Sequence, residues 1–441
     1  MRLIRKQWTS ARIIICGFMG VILLGALLLM LPISSRTGEV TPFINCLFTS
    51  TSAVCVTGLI VYDTATHWSW FGQFIIIALI QIGGMGVVTI ALSLAMLSGR
   101  KIGLLQRATM QDSISAPRMG GIVKMVCFIL KGVFLLEGLG AIAMAFVFIP
   151  MFGWIKGIWY SIFHSISAFC NAGFDLMGVY KPFSSVTYFS ANPIINITIM
   201  LLIVLGGLGF FVWHDLLEYK FRFKKYSLQA KVVMSMTIGL IFIPAIYFYF
   251  FDFGYIDNGA ERIFVSLFQS VTARTAGFNT VDFSLMTQTG IMLMIVLMLI
   301  GGSPGSTAGG MKTTTVAVLF SNVVATFQKG KTHLFKRRIS DETVQGASSI
   351  FFMYMFLFIA AAMAISRIEG LNLLDCMFET SSAVATVGCT MGITPHLGVA
   401  SKLILITLMY LGRVGALTLA FAVAKKTRYI NSLPEENIVV G

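Results

Sequence analysis

Phe48-Thr49-Ser50-Thr51-Ser52-Ala53-Val54-Cys55-Val56-Thr57-Gly58 is the stretch on which the reading of this chain turns. Its opening six residues follow the pattern Phe, any, Ser/Thr, any, Ser/Thr, Ala. That pattern recurs as Phe163-His164-Ser165-Ile166-Ser167-Ala168, Phe268-Gln269-Ser270-Val271-Thr272-Ala273 and Phe378-Glu379-Thr380-Ser381-Ser382-Ala383. The copies begin 115, 105 and 110 residues apart, the mark of an internal repeat. Each closes on a glycine, in Cys55-Val56-Thr57-Gly58, Cys170-Asn171-Ala172-Gly173, Arg274-Thr275-Ala276-Gly277 and Ala385-Thr386-Val387-Gly388. The phenylalanine-to-glycine separation is 10 residues in three copies and 9 in the third. Small residues let membrane helices approach closely, which accounts for Ser, Thr and Ala. It does not account for a glycine at a set distance in every copy.

Outward from the repeat, the 441 residues are 57% hydrophobic and 11% charged, with mean hydropathy +0.86. An ordinary soluble domain is about 25% charged, so a water-soluble enzyme and a disordered chain are both excluded. Apolar runs at 13–33, 71–98, 122–149, 193–214, 230–251, 289–325, 350–366 and 402–424 predict eight membrane spans, each near the roughly 20 residues a crossing needs. The first is too long for a signal-peptide core and no small-residue cleavage site follows it, so it is kept as a span. The repeats occupy 42–59, 157–174, 260–278 and 371–389, between the members of successive span pairs. They are too short to span and too apolar for water, and therefore read as re-entrant segments.

The net charge of +14 marks orientation rather than nucleic-acid binding. One set of span ends carries 21 Lys and Arg and the other six, which places both termini in the cytoplasm and brings all four re-entrant segments in from outside. Seven cysteines without paired spacing read as small buried residues. Trp68, Trp70, Trp154 and Trp159 read as interfacial anchors. There is no nucleophile–base constellation or metal-ligand spacing, so an enzyme is not expected.

The fold class that follows is an all-α integral membrane protein of four tandem helix–pore-loop–helix units around one pore: 1–110, 111–225, 226–338 with an interrupted second helix, and 339–441 with the cytoplasmic tail. Each short helix would aim its C-terminal end, worth about half a negative charge, at the membrane interior. The strand after it would run back outward with carbonyls facing the axis, where rings of carbonyl oxygen replace the hydration shell of an alkali ion. The expected ion-binding carbonyls are those of Val56, Thr57, Gly58, Asn171, Ala172, Gly173, Thr275, Ala276, Gly277, Thr386, Val387 and Gly388. Glycine clusters follow at Gly83-Gly84-Met85-Gly86, Gly206-Gly207-Leu208-Gly209, Gly301-Gly302 and Gly412-Arg413-Val414-Gly415.

On these motifs, over essentially its whole length, the chain resembles the ion-conducting subunit of the Ktr/Trk/HKT superfamily of potassium transporters, most closely the bacterial Ktr type. The resemblance implies potassium at the filter carbonyls, with Gly58, Gly173, Gly277 and Gly388 as the positions that favour potassium over sodium. It also implies sodium as an activating ion, a homodimer, a cytosolic ring of nucleotide-binding regulatory subunits and a place in the cell membrane, with no organic cofactor in this chain. A sodium-selective or unselective channel of the same architecture is the alternative. A cation-coupled secondary transporter fits less well, because alternating-access folds typically use inverted repeats.

Gly301-Gly302-Ser303-Pro304-Gly305-Ser306-Thr307-Ala308-Gly309-Gly310 cannot continue a helix, since glycine costs about 1 kcal/mol per interior position and proline about 3. Reading it as a break confined to one unit of four, just cytoplasmic of the filter, makes it a gate. In the resembling family the equivalent loop is held by an arginine, the position of Arg413, whose other reading is structural pairing alone. Lys312 either joins that loop or snorkels toward the inner interface. Glu379 and Arg274 are expected behind the filter, hydrogen-bonded or ion-paired, and Glu137 is expected to pair with Lys131.

Overall fold

The computed structural model describes residues 10–97, 103–113, 121–220 and 222–415. Both chain ends, the loop cations Arg100, Lys101 and Arg118, and residues 416–424 of the eighth expected span lie outside the described residues. The described chain is almost entirely helical and repeats one sequence of elements four times. Each round opens on a long helix: Ser10–Leu29, Ile122–Phe152, Leu228–Asp252 and Asp341–Glu369, all long and apolar enough to cross a membrane. Their exposed sides carry Leu24 and Leu27, Phe134 and Phe146, Ile243 and Ile246, and Phe352 and Phe356. Apolar side chains on the outward face are solvated by hydrocarbon, not water, so this is a multi-pass membrane protein.

A short helix follows in each round: Phe43–Val54, Trp154–Phe169, Gly259–Thr272 and Leu373–Ala385. Asn258 and Asn372 begin the third and fourth by accepting from backbone N–H groups of the first turn, satisfying donors that have no partner inside the helix. The first hydroxyl of the repeat joins the short helix to the long helix of its own round. Ser50 donates to Ile22 O at 2.7 Å, Ser165 to Glu137 O at 2.6 Å and Ser270 to Ile241 O at 2.6 Å. Gly25 and Gly140 leave room for this, because a Cβ there would lie 2.5 and 2.6 Å from the two serine hydroxyls. In the fourth round Thr380 turns back to Cys376 O of its own helix, at 2.9 Å.

The second helices of the first two rounds depart from expectation. The runs 71–98 and 193–214 are not single helices. Trp70–Met85 and Val87–Leu97 are separated at Gly86, and Pro193–Leu208 meets Phe210–Tyr219 at Gly209 with a bend of 98°. Gly86, Gly209 and Gly415 have φ of +86°, +91° and +86°, a conformation open to glycine and costly for other residues. Among the described residues the interruption is therefore shared by the first three rounds and is not confined to one unit. Among the described residues, it is the third round, between Gln288–Leu299 and Thr313–Phe327, that has the ten-residue loop in place of the single glycine.

Two further expectations change. Trp68 is fully buried and is no interfacial anchor, whereas Trp70 and Trp154 are exposed. Glu137 is buried and accepts from Gln81 Nε2 at 3.0 and 3.1 Å. Lys131 is exposed, six residues earlier on the helix, a separation that at 3.6 residues per turn puts the two on different faces.

The glycine clusters let the second helix touch the end of the short helix. A Cβ on Gly83 would sit 2.0 Å from Val54 O, on Gly206 2.0 Å from Phe169 O and on Gly412 2.1 Å from Val384 O. With backbone on both sides nothing flexible can yield. Gly83→Ala is expected to destabilise the fold by about 1–3 kcal/mol, the usual cost of overpacking, read as a lowered unfolding temperature in detergent. Gly20→Ala, with nothing within 4 Å of the added methyl, serves as its control; equal temperatures for the two would refute the close approach.

Candidate functional site

The four segments after the short helices share one backbone conformation. The residue two before each glycine is left-handed: Val56 (φ 58°), Asn171 (59°), Thr275 (70°) and Thr386 (55°). The glycines follow at φ of 91°, 69°, 85° and 98° for Gly58, Gly173, Gly277 and Gly388. Left-handed backbone at non-glycine residues costs on the order of 1–3 kcal/mol each and persists only where surrounding structure enforces it. Three of these four residues are β-branched, the type that tolerates it least.

The enforcement comes from the second Ser/Thr of the repeat, through its backbone carbonyl and its side chain. Thr57 N donates to Ser52 O, Ala172 N to Ser167 O and Val387 N to Ser382 O, all at 2.8 Å. The third copy, one residue shorter, bonds Ala276 N to Thr272 O at 2.9 Å. The side chains of the same four residues then hold the glycine end. Ser52 accepts from Gly58 N at 3.0 Å and Ser382 from Gly388 N at 2.9 Å. Ser167 donates to Phe174 O at 2.7 Å and Thr272 to Phe278 O at 2.5 Å.

The four glycines, more than 100 residues apart in sequence, form a closed ring. A Cβ on Gly58 would lie 2.4 Å from Ala172 O, on Gly173 2.6 Å from Ala276 O, on Gly277 2.4 Å from Val387 O and on Gly388 2.1 Å from Thr57 O. Each strand thus abuts the next and the fourth abuts the first. All twelve residues expected to supply carbonyls are buried, yet among the described residues none of their carbonyl oxygens accepts a hydrogen bond. Buried backbone carbonyls are paired in the great majority of cases, so twelve unpaired ones in one ring is the chemical signature of this site.

On one side of the ring lies a cavity of about 530 Å³ lined by Ile60, Phe183, Asn279, Asp282, Met391 and His396. On the other side the loop Gly301–Gly310 crosses between rounds. Its ends meet, Gly301 N donating to Met311 O at 2.8 Å and Thr313 N to Gly302 O at 3.1 Å. Its body reaches the second round, with Ser303 N donating to Gly207 O at 3.0 Å and Thr307 N to Gly206 O at 3.2 Å. Pro304-Gly305 forms the far turn, where Gly305 O accepts from Phe210 N at 2.8 Å, and Ser306 donates to Ser303 O at 2.7 Å. Gly309 and Gly310 pack on Thr386 and Ala385 of the fourth round. Arg413 donates to Thr307 O of the loop and to Gly83 O and Gly84 O of the first round. Carbonyls compensate its charge, the arrangement an intramembrane cation requires. Lys312 does not snorkel. Its Nζ donates to Ala308 O at 2.7 Å and reaches Gly309 O at 3.4 Å. A cavity of about 360 Å³ lined by Phe18, Phe210, Gly305, Lys312, Tyr354 and Arg413 lies against the loop.

Glu379 is buried and fully hydrogen-bonded, and Arg274 is buried with one bond, to Thr237 Oγ1 at 3.2 Å. At the position after the repeat phenylalanine, sequence reasoning singles out Glu379 alone. That position holds Thr49, His164, Gln269 and Glu379, polar in every copy and buried in all four. Four polar residues in one register of an apolar repeat was the signal available.

A family model described as a cation transport protein, TrkH, matches residues 12–432. The potassium/sodium uptake protein NtpJ of Enterococcus hirae is 42% identical, the alignment covering 99% of this chain and 98% of that protein. The Ktr system potassium uptake protein B of Bacillus subtilis is 37% identical over 99% and 97%. Among solved structures, the potassium transporter TrkH from Vibrio parahaemolyticus superposes with a TM-score of 0.75 at 18% identity, covering 96% of this chain and 87% of that one, a likeness of fold. With a family model matched almost from end to end and relatives this similar over their full lengths, the chain belongs to the TrkH family of cation transport proteins.

Proposed function

We propose that this protein takes up potassium ions through a central pore whose selectivity filter is the ring of twelve carbonyls. The observation that carries the reading is that ring: four equivalent segments, closed on themselves, with buried oxygens that have no donor among the described residues. A dehydrated cation supplies what those oxygens lack, and the C-terminal ends of the short helices add negative potential at the same place. The relatives named as potassium uptake proteins support the choice of ion. Four units, 1–110, 111–225, 226–338 and 339–441, each contribute one quarter of the pore, through eight spans in all and with both termini cytoplasmic.

The loop Gly301–Gly310 is proposed as the gate, tethered by Arg413 and Lys312. Its contacts with the second and fourth rounds, and the bonds by which Arg413 ties it to the first, support this, because one segment beneath the ring controls the whole passage. A homodimer in the cell membrane on a cytosolic nucleotide-binding ring, with sodium as an activating ion, is the proposed assembly. The basic segments around 218–231 and 329–338 offer it a docking face.

The name of the Enterococcus relative, a potassium/sodium uptake protein, favours a second reading in which sodium also passes. Reconstitution of the purified chain in vesicles separates the two. Uptake of potassium is expected to exceed that of sodium by about tenfold or more, since selection of about 1.4 kcal/mol corresponds to each factor of ten. Equal uptake of both ions would replace the first reading by the second, and uptake of neither would remove both.

A further inference from the structure

We propose that His164, Gln269 and Glu379, the side chains after the repeat phenylalanines of the last three units, and Asn45 in the first, are positioning residues for ion selection, pinning the outer end of each filter strand so that its carbonyls keep their angle to the ion. His164, Gln269 and Glu379 are each 0% exposed, and each reaches the residue three beyond its own glycine. His164 Nε2 accepts from Leu176 N at 3.2 Å, while Nδ1 lies 2.7 Å from Tyr160 O. These partners set the neutral tautomer with the proton on Nδ1. Gln269 Nε2 donates to Thr280 Oγ1 at 3.1 Å. Glu379 Oε1 accepts from Met391 N at 3.2 Å and from the Thr390 hydroxyl, and Oε2 accepts from Thr394 Oγ1 at 2.8 Å.

Imidazole, amide and carboxylate share no chemistry beyond hydrogen bonding. That three such different groups meet the same point of the strand makes the point, and not the residue type, the common requirement. The first unit reaches the same end differently. Thr49 bonds Asn45 O of its own helix at 2.9 Å. One turn earlier, Asn45 Nδ2 donates to the Tyr62 hydroxyl at 3.0 Å, four residues past Gly58, and Asn45 Oδ1 accepts from Lys402 Nζ at 3.1 Å.

Each strand is therefore clamped twice. The Ser/Thr hydroxyls at 52, 167, 272 and 382 hold it at the glycine, and this second set holds it just beyond. A segment with left-handed residues relaxes if either clamp opens, and discrimination between alkali ions depends on the number and field of the carbonyls that face them. A supporting shell of this kind keeps a site within the few tenths of an ångström that selection requires.

The proposal rests on reading the strands as a selective filter, and the test keeps the two apart. The full chain is reconstituted in vesicles, and the potassium-to-sodium permeability ratio is measured for the parent, Glu379→Ala, Gln269→Leu, Thr390→Val combined with Thr394→Val, and Gly277→Ser. The double threonine variant leaves the carboxylate in place and removes only hydroxyl donors, so it decides the matter if Glu379→Ala does not fold. The first three variants are expected to lower the ratio about tenfold, the scale set by losing a hydrogen bond to a buried charged or polar group, with total cation flux retained. If folded variants keep the parental ratio while Gly277→Ser loses it, the side chains are structural only and the proposal is overturned. If Gly277→Ser also keeps the ratio, the filter reading falls and this proposal falls with it.

Discussion

Gly277→Ser is expected to reduce preference for potassium over sodium by about tenfold or more, each factor of ten being about 1.4 kcal/mol. Gly277 lies at φ 85°, where any residue with a Cβ pays roughly 1–2 kcal/mol in backbone strain. The added carbon would also sit 2.4 Å from Val387 O and 3.1 Å from the Gly388 Cα, well inside contact distance. Serine can be accommodated only if the third or fourth strand moves, and in a closed ring movement of one strand is passed to its neighbours. Carbonyls that have moved outward no longer match a dehydrated potassium ion, so the discrimination falls before conduction does. Gly388→Ser, whose Cβ would lie 2.1 Å from Thr57 O, should be at least as damaging. The measurement is the permeability ratio in vesicles; a ratio equal to that of the parent would be incompatible with a four-strand carbonyl filter.

Deleting Ser303–Gly309 is expected to leave the fold intact and raise the rate of cation flux by about tenfold, as removal of a closed state favoured by roughly 1.4 kcal/mol requires. The fold should survive because the ends of the loop already meet. Ile300 and Met311 form a parallel bridge, and Gly301 N donates to Met311 O at 2.8 Å, so joining Gly302 to Gly310 asks little of the backbone. The flux should rise because the excised residues are those that reach across to Gly206, Gly207 and Phe210. Arg413 would lose Thr307 O but retain Gly83 O and Gly84 O, which keeps its charge compensated. A folded deletion variant conducting no faster than the parent would give the loop a packing role in place of a gating one.

Much of this could be seen before any coordinates. The excess of apolar residues predicts a helical membrane protein, and the motifs lead to the family to which the chain belongs. Both are local signals, since apolar runs and a repeat with constant spacing need no knowledge of what packs on what. The interrupted loop was equally visible, because five glycines and a proline within ten residues do not sustain a helix.

Other features depended on partners that sequence does not name. By sequence distance Glu137 pairs with Lys131, the nearest cation, whereas in the fold it meets Gln81, 56 residues away. Gly86 and Gly209 were absorbed into apolar runs because one glycine does not break a hydrophobic pattern. Trp68 reads in sequence like Trp70 and Trp154 but is buried, a matter of which side of a loop faces inward.

Composition and repetition, by themselves, determined that this chain is an apolar helical protein made of four related quarters, each ending its motif on glycine. Only the tertiary structure decided that the four glycines abut one another in a ring, that the loop of the third quarter crosses to the second and fourth, and that His164, Gln269 and Glu379 each reach the residue three beyond their own glycine. The physical reason is range. Helix formation and membrane partition depend on neighbours within a few turns, whereas the position of a carbonyl relative to another about 100 residues along the chain depends on how every helix between them packs.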